Sequence, residues 1–124
     1  MSASSADSSR GLVLLAVTGG VAAFKAVLLL RLLQRAGFTV QVICTQSALR
    51  FVGEPTFHAL SGRPVASDGW DLADSRSGER HVELAREAVA LIVYPATARV
   101  MGSLAAGITD DLVTLTAACT RAPV

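Results

Sequence analysis

Residues Gly11 to Gly37 read GLVLLAVTGGVAAFKAVLLLRLLQRAG, and this stretch decides the fold. Leu12 to Val17 is a short, unbroken apolar run with the length of a buried strand. Thr18-Gly19-Gly20 makes a tight turn, and a helix runs from Val21 towards Arg35 with Gly37 as its stop signal. Glycines where a strand hands over to a helix let the backbone approach a ligand closely. The helix N-terminus then offers free N–H groups and a positive dipole end to an anion. The stretch is therefore either a phosphate cradle or a plain strand-turn-helix connection that uses glycine for turn geometry alone.

Two nucleotide motifs are missing from it. The turn is not G-x-G-x-x-G, and the second strand, Thr39 to Cys44, ends at Thr45, where a dinucleotide fold places an Asp or Glu for a ribose hydroxyl. It is not G-x-x-x-x-G-K-[ST] either, so Lys25 has no P-loop role and begins the solvent face of its helix. A mononucleotide fits better than NAD or ATP.

The chain has 124 residues, enough for one domain with a real core. Hydrophobic residues make up 52% and charged residues 17%, as in α/β chains whose parallel strands are covered on both faces. The net charge is +1, and no basic patch is interleaved with aromatics, which argues against nucleic acid as a partner. Arg31 interrupts the apolar density of Ala26 to Leu33, and no run approaches the roughly 18 apolar residues of a membrane span. Residues 1–10 read as a disordered tail, because Ser2 to Ser9 lack the apolar core of a signal peptide; the cytoplasm is the default compartment. Cys44 and Cys119 lack metal spacing and read as reduced core residues.

Beyond the first unit, the pattern predicts short helices at Ser47 to Val52 and Pro55 to Leu60, and an extended piece at Pro64 and Val65. Asp68 to Arg80 reads as a polar surface loop, anchored by Trp70 and Asp71. His81 to Glu87 follows as a helix, Ala90 to Tyr94 as a buried strand and Pro95 to Arg99 as the loop at its end. Val100 to Gly107 and Asp111 to Cys119 read as helices with Thr109 and Asp110 as N-cap chemistry, and Arg121 to Val124 as the approach to another strand. Asp110 and Asp111 are neighbours that share no helix face, so capping fits them better than acid/base work. Strands alternating with helices imply a three-layer α/β fold with a doubly wound parallel sheet, whose ligands bind at the carboxyl ends of strands. Thr18, Thr45 and Pro95 to Ala98 all sit at such ends.

VTGGVAAFK (17–25), TQSALRFV (45–52), TFHALSGRPV (56–65), HVELAREA (81–88), YPATA (94–98) and LAAGITDDLVT (104–114) occur in one order. Together they resemble the homo-oligomeric flavin-containing cysteine decarboxylases. That family includes phosphopantothenoylcysteine decarboxylase and enzymes acting on C-terminal cysteines of ribosomal peptides. The resemblance covers almost everything after residue 11, and its most distinctive pieces are the PATA loop and the histidine of HVELAREA.

The resemblance implies a Rossmann-like flavoprotein fold and FMN as cofactor. The phosphate is then expected on Thr18, Gly19, Gly20 and Val21 and near Thr45 and Ser47, with Pro95, Ala96, Thr97 and Ala98 lining the flavin. It implies a homo-oligomer, a trimer or a dodecamer built of trimers, with flavin at the subunit interface. It also implies a cysteine-terminated small molecule or peptide as substrate. A carboxylate beside a cysteine Cα leaves no stable carbanion when CO2 departs, so an electron sink is required. In the family, flavin oxidises the cysteine to a thioaldehyde, and CO2 loss then yields an enethiol. His81 matches the catalytic histidine, and an imidazole with an ordinary pKa near about 6.5 suits a thiol proton at neutral pH. His58 reads as structural or solvent-facing.

Two departures stand out. Arg99 occupies the place of a family asparagine that contacts the substrate carboxylate, which makes it a substrate-binding candidate. A guanidinium that paired strongly with that carboxylate would favour the ground state, so Arg99 either turns away or slows turnover. The domain from 11 to 124 also reads as stopping before the family's P-x-M-N motif and substrate clamp. A second reading is therefore a flavin-binding regulatory subunit without turnover. Flavin prenyltransferases fit less well, because the Gly19 to Ala23 turn and the His81 helix match the decarboxylases better.

Overall fold

A computed structural model describes residues 9–67 and 77–124 of the chain, with the backbone alone for 77–81. The first apolar run forms β1 (Leu12–Val17), followed by helix α1 (Ala23–Arg35) and β2 (Thr39–Cys44). A 3-10 turn (Ala48–Arg50) and α2 (Glu54–Ser61) lead to a two-residue strand, β3 (Ala66–Ser67). Then come α3 (Ser77–Glu87), β4 (Ala88–Val93), α4 (Ala98–Ala106) and α5 (Leu112–Cys119). The described strands form one parallel sheet in the order β3-β2-β1-β4.

Alternation along the central strands divides the core between the two faces of the sheet. Leu15, Val17, Val40, Val42 and Cys44 pack against Ala23, Ala26 and Leu30 of α1 and Phe57 of α2. Leu14, Ala16 and Ile43 point the other way, onto Leu84 of α3, Val100 of α4, and Leu112 and Val113 of α5. The result is the expected three-layer, doubly wound arrangement. Helix α1 ends where Gly37 takes φ +97°, and its N–H donates to the Gln34 carbonyl at 3.0 Å.

Several boundaries differ from the sequence reading. Helix α1 starts at Ala23, because Val21 and Ala22 belong to a turn closed by the Ala23 N–H on the Gly20 carbonyl. Helix α3 starts at Ser77, so residues 77–80 are helical and not loop, and His81 stands a full turn inside the helix. The rest of the polar stretch, including Trp70 and Asp71, lies outside the described residues. Strand β4 begins at Ala88 and is only partly buried, since it is the end strand of the described sheet, with a register shift opposite Leu12 and Val13. Beside it the Leu91 N–H donates to the Pro123 carbonyl at 2.9 Å, so Pro123 touches the outer edge of β4, while residues 120–124 form no strand. Ser9 and Arg10 belong to the fold and not to a tail: Ser9 Oγ meets Thr39 Oγ1 at 2.8 Å, and Arg10 stacks over Phe38.

Gln41 is a polar residue buried within β2. Its Nε2 donates to the Val42 and Pro64 carbonyls at 3.0 and 2.9 Å, and its Oε1 accepts from Arg63 Nε at 2.8 Å. One amide thereby fastens the chain entering β3. Cys44 is buried as expected, and burial, reinforced by the nearby Glu54 charge, pushes its thiol up to about 12. Cys119, expected in the core, is exposed on the last turn of α5.

Gln41→Ala should cost about 1–3 kcal/mol, the penalty for stranding buried partners, read from the shift in a urea unfolding curve. A thiol-disulfide reagent at pH 8 should label Cys119 in the native protein and reach Cys44 only after denaturation.

Candidate functional site

The chain leaves β1 towards β2 and β3 on one side and returns to β4 on the other, so the order of strands reverses between β1 and β4. In an open parallel sheet that reversal opens a crevice beyond the carboxyl ends of the two strands. Val17 lies opposite Cys44 and Ala16 opposite Val93, so three strand ends finish at one level. The Thr45 N–H donates to the Val17 carbonyl at 3.1 Å and the Tyr94 N–H to the Ala16 carbonyl at 2.9 Å, extending the ladders into the loops. The three predicted segments meet there.

Each glycine of the turn has a different task. A Cβ on Gly19 would lie 2.2 Å from Ser47 Cβ, so the turn packs directly on the segment after β2 and tolerates no side chain. A Cβ on Gly20 would meet only Pro95 Cγ, at 3.8 Å, so this position faces open space towards the β4 loop. The N–H groups of Gly19, Gly20, Val21 and Ala22 find no acceptor among the described residues. These donors at the start of α1 suit an anion. Val21 itself is 78% exposed.

The three hydroxyls expected at a phosphate are not equivalent. Thr18 is fully buried; its hydroxyl donates to the Pro95 carbonyl and accepts from the Thr97 N–H at 3.2 Å. Thr45 is buried, and its Oγ1 accepts from the Ala48 N–H at 3.2 Å, starting the 3-10 turn. Ser47 is exposed and makes no side-chain cap bond. Thr18 thus joins two loops, and Ser47 is the hydroxyl at this edge open to a ligand.

On the β4 side, Thr97 caps α4 through Val100 N–H at 3.3 Å, and Ala98 is already the first residue of that helix, not part of a loop. Pro95 and Thr97 are half-buried, and Ala96 and Ala98 exposed. Arg99, the substrate-binding candidate that the sequence reading also allows to turn away, places Nη2 on Asp111 Oδ2 at 2.7 Å, with Nη1 3.9 Å from Asp110. Asp111, not Thr109 or Asp110, caps α5: its Oδ1 accepts from the Thr114 N–H at 2.8 Å, and its own N–H donates to Thr114 Oγ1 at 3.3 Å. Partial burial works to raise the Asp111 carboxyl, but the Thr114 N–H, the Arg99 guanidinium and the Thr114 hydroxyl outweigh it and hold it below the usual carboxylate range. His81 is on α3, with its side chain outside the described residues, and His58 is exposed on α2. Among the described residues no His, Cys, Asp or Glu cluster could hold a metal, and no helix is long and apolar enough to cross a membrane.

A family model described as Flavoprotein matches residues 1–123. The chain is 47% identical over 112 residues to the coenzyme A biosynthesis bifunctional protein CoaBC of Mycobacterium tuberculosis, covering 90% of this chain and 26% of the relative. It thus spans about a quarter of the length of the curated relatives it matches. The solved structure of TvaF, an FMN-dependent cysteine decarboxylase from thioviridamide biosynthesis, matches with a TM-score of 0.83 and 28% identity, over 93% of this chain and 74% of that one. A mutant PPC decarboxylase complexed with pantothenoylaminoethenethiol matches with a TM-score of 0.74 and 26% identity, over 90% and 62%.

The two glycines should separate in a stability measurement. Gly19→Ala must displace Ser47 and should lose about 1–3 kcal/mol, whereas Gly20→Ala should stay within about 0.5 kcal/mol of the parent in chemical denaturation.

Proposed function

The chain belongs to the flavoprotein family, and from that premise we propose that it binds FMN and decarboxylates a cysteine-derived carboxylate to an enethiol. The observation that carries this reading is the crevice at the strand-order reversal, where Gly20 opens towards Pro95 beside four backbone N–H groups without an acceptor. These groups and the Ser47 hydroxyl suit one phosphate, and Pro95 to Ala98 form the facing wall. The fit favours a mononucleotide, since β2 ends at Cys44 and is followed by Thr45, not by an acid for a second ribose.

When bound, FMN supplies the two-electron acceptor that no side chain provides. The chain's own residues bind its phosphate, present an apolar wall, and handle protons. His81 is the residue assigned to the substrate thiol proton. Of the substrate classes, phosphopantothenoylcysteine is supported best, because the coenzyme A relatives are 47% identical and the peptide-modifying enzyme TvaF 28%. A cysteine-terminated peptide is the other substrate. The assembly is a homo-oligomer, a trimer or a dodecamer built of trimers, a reading supported by Val21, Phe24, Leu28 and Leu32, an exposed apolar stripe that begins at the phosphate turn. Its compartment is the cytoplasm, in keeping with the unpaired Cys44 and Cys119.

One observation favours a second reading. Arg99 is engaged with Asp111 at the position where the resembling family carries a carboxylate-contacting asparagine. A flavin-binding regulatory subunit without turnover accommodates that arrangement.

The purified protein should be yellow and release FMN, not FAD, on denaturation; a colourless protein that ignores added FMN refutes the reading. Gly20→Val should weaken FMN uptake with little change in folding. His81→Asn should keep FMN and lower CO2 release from phosphopantothenoylcysteine by at least about 10²-fold. Tight FMN binding without CO2 release in the parent protein assigns it to the regulatory class.

A further inference from the structure

The wall facing Gly20, Pro95 to Ala98, is held at both ends by side chains of distant segments. At its start, the buried Thr18 hydroxyl donates to the Pro95 carbonyl and accepts from the Thr97 N–H at 3.2 Å. These two bonds straddle Ala96, so one hydroxyl fixes the shape of the segment and not merely one point on it. At its far end, Arg99 reaches Asp111 Oδ2 at 2.7 Å, and Asp111 is itself immobilised by the Thr114 N–H at 2.8 Å and only 10% exposed. A charge-assisted bond to a fixed, nearly buried carboxylate is among the stronger side-chain ties. Both Thr18 and Arg99 were candidates for ligand contact, and both are engaged within the chain.

We infer that Thr18 and Arg99 are positioning residues that hold the Pro95 to Ala98 wall in its ligand-ready shape before any ligand arrives. The inference rests on the FMN reading for its consequence, since a preset wall spares the ordering cost of binding. The fastening itself is independent of any ligand. Thr18→Val keeps side-chain volume but strands the Pro95 carbonyl and the Thr97 N–H; Thr18→Ser retains the hydroxyl. Arg99→Gln removes the charge from the far tie.

The test combines amide hydrogen exchange at residues 96–98 in the flavin-free full chain with FMN titration followed by fluorescence quenching. Thr18→Val should speed exchange at Thr97 and weaken FMN binding, each by about tenfold or more, the scale of a stranded buried partner. Thr18→Ser should restore both, and Arg99→Gln should move both in the same direction by less. Exchange at 96–98 unchanged in Thr18→Val overturns the inference, as does faster exchange with FMN affinity intact, the mark of a role in folding alone. If Thr18→Val fails to fold, Arg99→Gln decides: parent-like exchange and affinity overturn the inference, and parallel changes in both support it. If the parent takes up no FMN, the functional reading fails separately, and the exchange comparison alone decides whether the wall is fastened.

Discussion

The structure depends on the register of β1 between its two neighbours. Backbone ladders hold Val17 level with Cys44 and Ala16 level with Val93, and the same hydrogen bonding continues into Thr45 and Tyr94. A slip of one residue in either pairing would turn every side chain of the moved strand to the opposite face. It would also carry Thr18 away from Pro95 and Gly19 away from Ser47. The core and the crevice are therefore set by one constraint, and the candidate site needs no separate scaffold.

That economy explains why polar groups are buried at the top of the sheet. A strand end surrounded by two other strand ends is sheltered from water, so a hydroxyl there must find protein partners. Thr18 and Thr45 do so, each by stitching its strand to a neighbouring loop or turn. The backbone N–H groups at the start of α1 remain unmatched among the described residues, and the contrast between satisfied hydroxyls and unsatisfied amides is what supports the proposed phosphate position.

Much of this was legible in the sequence. The bounds of β1 and β2 follow from continuous apolar runs cut by Thr18 and Thr45, and the meeting of Thr18, Thr45 and Pro95 at one edge follows from β/α alternation. What was not legible depends on tertiary partners. Ser77 and Gly78 look like loop by composition, yet they lead into a helix that packs Leu84 against the sheet. The cap of α5 falls on Asp111 because Thr114 stands three residues on to close the capping box, a pairing that Thr109 and Asp110 do not make. Neither the engagement of the Thr18 hydroxyl nor the pairing of Arg99 with Asp111 has a signal in local pattern. The difference between Gly19 and Gly20 appears only when Ser47 is placed beside one and open space beside the other.

The hook that Gln41 forms also bears on how this sheet meets other proteins. Beyond β2 the described sheet offers only the two residues of β3, preceded by Pro64, whose carbonyl Gln41 occupies, and by the Arg63 guanidinium. Proline and charge on a very short border strand are what natural sheets use against edge-to-edge pairing. Among the described residues, a stray β-segment would find a ladder of two residues to extend on that side. The small polar cluster that fastens β3 thereby sets a proline and a guanidinium at that border of the described sheet.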